Sequence, residues 1–357
     1  MIITGTQSGK VTAVSENGGT IVWEHVSQHV VDTLVSGGNV VYVAAHVAPA
    51  NDRYQRANLA AFRVRDGMML WHTMEEELRG HVTMSLDRDK LFVSSSMGDG
   101  TFYAINGQTG TVLWTYGSAD GMTNKFIAAH AGVVYLHEGH SHPTFTARDA
   151  NTGAVLWSFD QEASPAYLVA YGSFIYVYGV EYLTGSRSII ILSAKDGGEV
   201  ARLTLEHKDR SLAISESGGA YIVRNRQVYA LQASDGAIQW HTGDVGSPGE
   251  HSVKYSRHLI VADELLYYVQ TLQPEMRIEV GALDARTGRQ RWRWHGEPSL
   301  ASAINAPSLV SAKTRVYLAT RQGVLAFNGA DGHLLWQTIP DHDLSFIVPA
   351  ISSSEPA

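Results

Sequence analysis

The sequence has no cysteine among its 357 residues. That absence removes disulfides, thiolate metal sites, cysteine nucleophiles and lipid-bearing cysteines together, and with them any reading of redox compartment. No stretch approaches the roughly 18 apolar residues that a membrane-spanning helix needs, so no membrane span is expected. The opening MIITGTQSGKVTAV has neither a basic n-region nor an apolar h-region; it reads as a strand, with no signal peptide. Charge is sparse, at 17% of residues, and its balance is −8, which argues against nucleic acid as a partner. No nucleophile elbow, paired-carboxylate signature or glycine-rich loop leading into a helix is present.

What is present is a repeat. ARDANTGAVLW (Ala147 to Trp157) returns as ALDARTGRQRW (Ala282 to Trp292), AINGQTGTVLW (Ala104 to Trp114), ALQASDGAIQW (Ala230 to Trp240) and AFNGADGHLLW (Ala326 to Trp336). AFRVRDGMMLW (Ala61 to Trp71) and AVSENGGTIVW (Ala13 to Trp23) fit the same template. Seven copies thus end in tryptophan: Trp23, Trp71, Trp114, Trp157, Trp240, Trp292 and Trp336. The eighth, ILSAKDGGEVA (Ile191 to Ala201), ends in alanine. Every copy has glycine in its seventh place, and successive copies end 39 to 52 residues apart.

Within a copy, an apolar alternation runs into Asp, Asn, Ser or Thr and then Gly, and a second strand follows. That is a β-hairpin whose glycine supplies the positive φ of the turn. A β-rich run such as VVYVAA or LLYYVQ precedes most copies, and a weaker run precedes that. Each unit therefore has four strands, A to D, with the tryptophan on outermost strand D. Four short strands repeating at this interval predict a β-propeller blade. The expected fold is all-β: an eight-bladed β-propeller of four-stranded antiparallel blades, forming one domain over residues 1–357. The chain opens with strands B, C and D of a first blade, and C-terminal SFIVPAISSS supplies the missing strand A, closing the ring. The tryptophans are expected to dock blade against blade. Where Ala201 replaces one, Arg202 or Leu203 is the candidate to fill the space.

The unit A-x-D-x-x-T-G-x-x-x-W resembles the tryptophan-docking motif of the pyrroloquinoline-quinone (PQQ) type, quinoprotein alcohol dehydrogenase-like propellers. Ala147 to Trp157 and Ala282 to Trp292 match it best, and the resemblance covers the whole chain. That superfamily includes dehydrogenases that hold PQQ between a tryptophan and a disulfide of adjacent cysteines, beside a calcium ion. It also includes cofactor-free propellers, among them the lipoprotein of the outer-membrane β-barrel assembly machinery and envelope sensor domains. A chain without cysteine cannot build the quinone clamp, so the resemblance implies the cofactor-free branch, with no PQQ. It implies a non-catalytic binding, scaffold or sensor propeller: extracytoplasmic, monomeric, with a protein partner and a small ligand as second option. The alternative is a quinoprotein-like or metal-dependent enzyme with its site in a top central pocket.

Loops between strands B and C, and connections from D to the next A, share the face where propellers carry function. HEGHSHP places His137, His140 and His142 within six residues of one such loop. Metal binding needs their imidazoles to converge at about 2.0–2.1 Å from one ion. The helical H-E-x-x-H register is absent, and the favoured reading is a solvated loop that takes up metal weakly or adventitiously. His29, His81, Glu250, His251 and Asn305 stand near strand A entrances, as candidate channel-mouth contacts to a ligand or partner. The D–A connections are acidic, with Glu75, Glu76 and Glu77 in one and Asp341 and Asp343 in another. In RQRWRW the arginines Arg289, Arg291 and Arg293 alternate with Trp292 and Trp294, which reads as charge guarding an open edge strand.

Overall fold

The computed structural model describes the chain outside residues 28, 48–55, 98–100, 118–126, 139–143, 161–162, 182–185, 206–211, 216–218, 225–226, 233–234, 243–257, 273–276, 298–307, 321–322, 339–343 and 350–357. Among the described residues every regular element is a strand. The strands form eight four-stranded antiparallel blades arranged as a β-propeller, as the repeat predicts. Leu344–Pro349 joins Ile2–Thr6 as the fourth strand of the first blade, followed by Lys10–Val14 and Ile21–Val26. The described residues fall in two compact units, one built from Met1–Val14 and Ile21–Thr204, the other from Ser15–Thr20 and Leu205–Pro349.

One connection departs from the sequence reading. The segment around Glu75, Glu76 and Glu77 is expected as a D–A loop, yet Met69–Asp87 is one uninterrupted strand. Its first part pairs with Arg56–Arg63 of blade 2, through Met74 opposite Asn58, and Arg79 stands opposite both Arg56 and Met97. Its last part, Val82 to Asp87, pairs with Lys90–Met97 of blade 3. Blades 2 and 3 are consequently drawn into one seven-stranded sheet. Residues of high strand propensity (Val82, Thr83) at the head of the next A strand let the pleat continue through the acidic stretch.

Burial follows position in the blade. Inner strands B and C are nearly continuous runs of buried residues, as in Ile2–Thr6, Phe102–Asn106 and Gly323–Asn328, because neighbours cover both faces. Strand D is mostly exposed, as in Val155–Asp160. Across six of the blades runs a row the sequence only half reveals: an aromatic on B, alanine on C, tryptophan on D; blade 1 has Ile3 on B, and blade 5 has Ile191 on C and Ala201 on D. Tyr135 pairs with Ala147 and Ala147 with Trp157; Tyr267, Ala282 and Trp292 repeat the pattern. Alanine leaves room for the two rings to meet above it, with centroids 5.9 Å apart in blade 4 and 6.1 Å in blade 7.

The seven tryptophans then stitch their blades to the next; blade 5, which ends in Ala201, has none. Trp23 donates to the Val64 carbonyl at 2.7 Å, Trp71 to Gly107 at 2.8 Å, Trp114 to Ala150 at 3.2 Å and Trp157 to Ala194 at 3.1 Å. Trp240 donates to Ala285 at 3.1 Å, Trp292 to Gly329 at 2.7 Å and Trp336 to Glu16 at 2.8 Å. Every acceptor is the fourth residue of the following copy, and each indole lies against that copy's turn glycine. A β-bulge beside each tryptophan skips the tenth residue of the copy out of the ladder: Val22, Leu70, Leu113, Leu156, Gln239, Arg291 and Leu335. The bulge turns that side chain outward, which explains why several exposed hydrophobics of this chain are bulge residues.

Candidate functional site

The described chemistry gathers near the strand ends that carry the B–C loops. His137 is the first case. It is the fifth residue of strand Val133–Glu138, pairs with Phe145, and is only 5% exposed. The sequence reading puts it in the loop; the structure puts it in the strand before the loop. Two residues beyond Tyr135, it lies on the same face of the pleat as that fully buried ring. His140 and His142 lie outside the described residues, as do Glu250, His251 and Asn305.

His29 lies in the connection from blade 1 to blade 2, half-buried, with its backbone N–H on Ser27 Oγ at 3.1 Å. Its carbonyl and that of Ser27 crowd Gly9 in the B–C turn of blade 1, where φ is +88°. A Cβ there would come within 2.4 Å of the His29 oxygen, so only glycine admits the approach. His81 belongs to the long strand Met69–Asp87. Of the five candidate mouth residues, His29 and His81 are thus placed, and Glu250, His251 and Asn305 lie outside the described residues. Among the described residues no group of three His, Asp or Glu side chains is placed to hold a metal ion.

Two buried polar clusters were not visible in the sequence. In blade 2, His46 near the end of strand B faces Asp32 on strand A, with Nε2 3.2 Å from Oδ1. Asp32 Oδ2 accepts the backbone N–H of Val82, tying blade 2 to blade 3. In blade 7, Glu279 is 1% exposed and gathers groups from two other strands. Its Oε1 accepts from Tyr268 Oη at 2.9 Å and Gln270 Nε2 at 2.6 Å, while its Oε2 lies 2.9 Å from His295 Nε2. Gln290 Oε1 receives Arg293 Nε at 2.9 Å and the Tyr268 hydroxyl at 3.2 Å.

Burial, and secondarily the Glu279 charge, push the Tyr268 hydroxyl far above its ordinary range, so it remains a proton donor to the carboxylate. A carboxylate with three such partners is held rather than poised: its lone pairs are committed to the sheet. Burial likewise pushes the row tyrosines Tyr42, Tyr135, Tyr176, Tyr267 and Tyr317 up to about 12. These groups order and stitch strands.

Tyr268 and Gln270 are two apart on one strand, which period-two alternation makes legible. Their meeting with Glu279 and His295 requires the register across three strands, and no spacing in the sequence supplies it.

A family model described as outer membrane protein assembly factor BamB, of the PQQ-repeat type, matches residues 55–218 and 185–342. No curated protein matches the chain. Among solved structures, BamB from Moraxella catarrhalis is similar with a TM-score of 0.59 at 16% identity, over 91% of this chain and 89% of that one. The quinohemoprotein alcohol dehydrogenase ADHIIG from Pseudomonas putida HK5 gives 0.57 at 15% identity, over 87% of this chain and 66% of that one. A europium-containing methanol dehydrogenase gives 0.59 at 13% identity, over 87% and 78%. At such identities these likenesses speak of fold alone.

Proposed function

The chain belongs to the PQQ-type propeller family described as outer membrane protein assembly factor BamB, and on that premise we propose that it is a non-catalytic scaffold of the cell envelope that binds a protein partner. The observation that supports the reading is the extent of the family match, which runs from residue 55 to residue 342 across nearly all the blades. The buried chemistry agrees with it. Tryptophans, row tyrosines and the Glu279 and Asp32 carboxylates are engaged in holding strands and blades to one another. Such a frame keeps its loops at fixed separations, which is what a binding face requires.

The dehydrogenase neighbours raise the question of a quinone. The quinone clamp of the dehydrogenases that the repeat resembles uses a disulfide of adjacent cysteines, and a chain without cysteine does not fit it. The test has two arms. Titrating the purified full chain by calorimetry against soluble periplasmic domains of the outer-membrane assembly machinery should give saturable, one-to-one binding. Incubation with PQQ and calcium, followed by desalting, should leave no quinone absorbance and no alcohol-dependent dye reduction. Retained quinone with turnover would replace the scaffold reading by the enzymatic one.

A further inference from the structure

Blade 7 differs from the other blades along its outer edge. At the bulge position, blades 1, 2, 3, 4 and 8 carry valine or leucine: Val22, Leu70, Leu113, Leu156 and Leu335. Blade 7 carries Arg291 there, 56% exposed. Arg293 and His295 follow on the same outermost strand, both exposed, and alternate with Trp292, buried, and Trp294, half-buried. Arg286 and Arg289 are exposed in the turn that leads into the strand, and Arg277 at the start of the strand paired with it.

The acids nearby do not neutralise this strip. Glu279 is buried and committed to Tyr268, Gln270 and His295. Asp284 takes one Arg291 nitrogen at 3.0 Å while also accepting the N–H groups of Arg286 and Thr287. Glu297, exposed just past the strand end, is the remaining acid between residues 277 and 297. Arg293 is oriented by a neutral partner, since its Nε donates to Gln290.

Edge protection alone does not account for this. If outer strands of this fold needed cations to avoid pairing, blades 3 and 4 would carry them too; they expose Val112, Leu113, Val155 and Leu156 instead. A row of arginines is particular to blade 7, in a chain whose net charge is −8; the outer strand of blade 5 has the single Arg202, bound to Glu199.

We propose that the outer edge of blade 7 is a docking strip for an acidic, extended segment of a partner protein. The strip supplies what such a segment needs. Its D strand is the last in its sheet, the position at which a further strand can be added. Guanidinium groups flank that edge and pair with carboxylates through two N–H groups at once. The Glu279–His295 contact and the Arg293–Gln290 bond hold the row in position before binding, which lowers the ordering cost.

The inference builds on the scaffold reading, naming one of its partner surfaces. The probe is a short blocked peptide alternating glutamate and valine, titrated by fluorescence anisotropy against the full chain and against Arg289→Glu/Arg293→Glu. Both sites are exposed, and circular dichroism with thermal melting confirms that the variant folds. The expected result is binding that weakens with added salt and falls about tenfold or more in the variant. Absent binding to the native chain, or equal binding to both proteins, overturns the proposal. So does variant-sensitive binding to phosphatidylglycerol vesicles or single-stranded DNA without binding to the peptide, because it assigns the strip to another polyanion. The scaffold reading is judged separately. If the assembly-machinery domains bind native and variant chains alike, that reading stands and the strip falls; if they bind neither, the scaffold reading falls.

Discussion

Blades 4 and 5 are built from the same eleven-residue template and close their outer edges in opposite ways. Blade 4 sets small Ala147 on strand C opposite large Trp157 on strand D. Blade 5 reverses the sizes: Ile191 stands in the alanine place and Ala201 in the tryptophan place. Ile191 is fully buried and pairs with Tyr176, the aromatic of that row. The expectation is corrected for Arg202, the first of the two candidates to fill the vacancy. Arg202 is an exposed side chain bound to Glu199 at 2.6 Å, and Leu203 is half-buried. The row recovers part of the lost volume by carrying its larger aliphatic residue on strand C, which a close-packed core tolerates better than a void.

The largest effect should come from breaking the arrangement blade 4 retains. Trp157→Ala removes a ring that packs on Tyr135 and Phe145 and donates to the Ala194 carbonyl, and should cost about 3–5 kcal/mol. The same seam can be attacked from its other side. Gly197 has φ +73°, and a Cβ there would lie 2.5 Å from the Trp157 ring. Gly197→Ala should therefore cost about 2–4 kcal/mol from left-handed backbone strain and overpacking. Chemical denaturation of the two single variants and the double should show strong non-additivity, because both changes remove one docking contact. Additive losses would mean that Trp157 and Gly197 are not partners in stability.

Blade 5 offers the converse experiment. Ile191→Ala alone should cost about 2–5 kcal/mol by leaving a cavity against Tyr176. Ala201→Trp alone should cost about 1–3 kcal/mol, since the row is already full. Combined, they rebuild the alanine-opposite-tryptophan arrangement of blade 4, and the double variant should be more stable than the sum of the singles by about 0.5–3 kcal/mol. A clear gain from Ala201→Trp by itself would show an empty slot and refute the size exchange.

The legible part of this molecule is the part that repeats. Fixed Gly and Trp spacing gives the hairpin, its turn and the docking group, because one residue type satisfies each requirement in nearly every copy. The exchange in blade 5 was also written there, since Ile191 replaces alanine in the same copy that loses its tryptophan. The spacing alone does not reveal it, because the two positions become neighbours only when strands C and D pair. Glu279 is hidden for the same reason: Tyr268 and Gln270 reach it from one neighbouring strand and His295 from the other. The run of glutamates at Glu75, Glu76 and Glu77 points the other way, its charge suggesting a loop where the strand Met69–Asp87 runs on.

Where blades 4 and 5 are alike, they should respond alike. Burial pushes both Tyr135 and Tyr176 up to about 12, against an ordinary value of about 10. A raised folded-state value means that the fold binds the proton more tightly than the unfolded chain does. The corresponding stability is complete below about pH 10 and is lost as pH rises toward 12. Tyr135→Phe and Tyr176→Phe should each flatten the fall in urea midpoint across that alkaline window, by similar amounts. A variant that steepens the fall would contradict the sign.

The smallest effects concern the histidines, and here the two blades part again. Two places beyond the row tyrosine, blade 4 holds His137, 5% exposed, while blade 5 holds half-buried Tyr178. A buried imbedded imidazole fills space between strands, so His137→Ala should lower the melting temperature measurably, by the equivalent of about 1 kcal/mol. His140→Ala/His142→Ala, read as changes to a solvated loop, should shift stability by no more than about 0.5 kcal/mol and leave partner binding intact. A loop metal site predicts the reverse order of importance. One zinc per chain retained through dialysis against a weak chelator, released as pH falls through the histidine range and lost in the double variant, would establish that site. With His137 packed beside Tyr135 and Phe145 inside the blade, the expected result is an effect at His137 that is independent of zinc, and none at the loop pair.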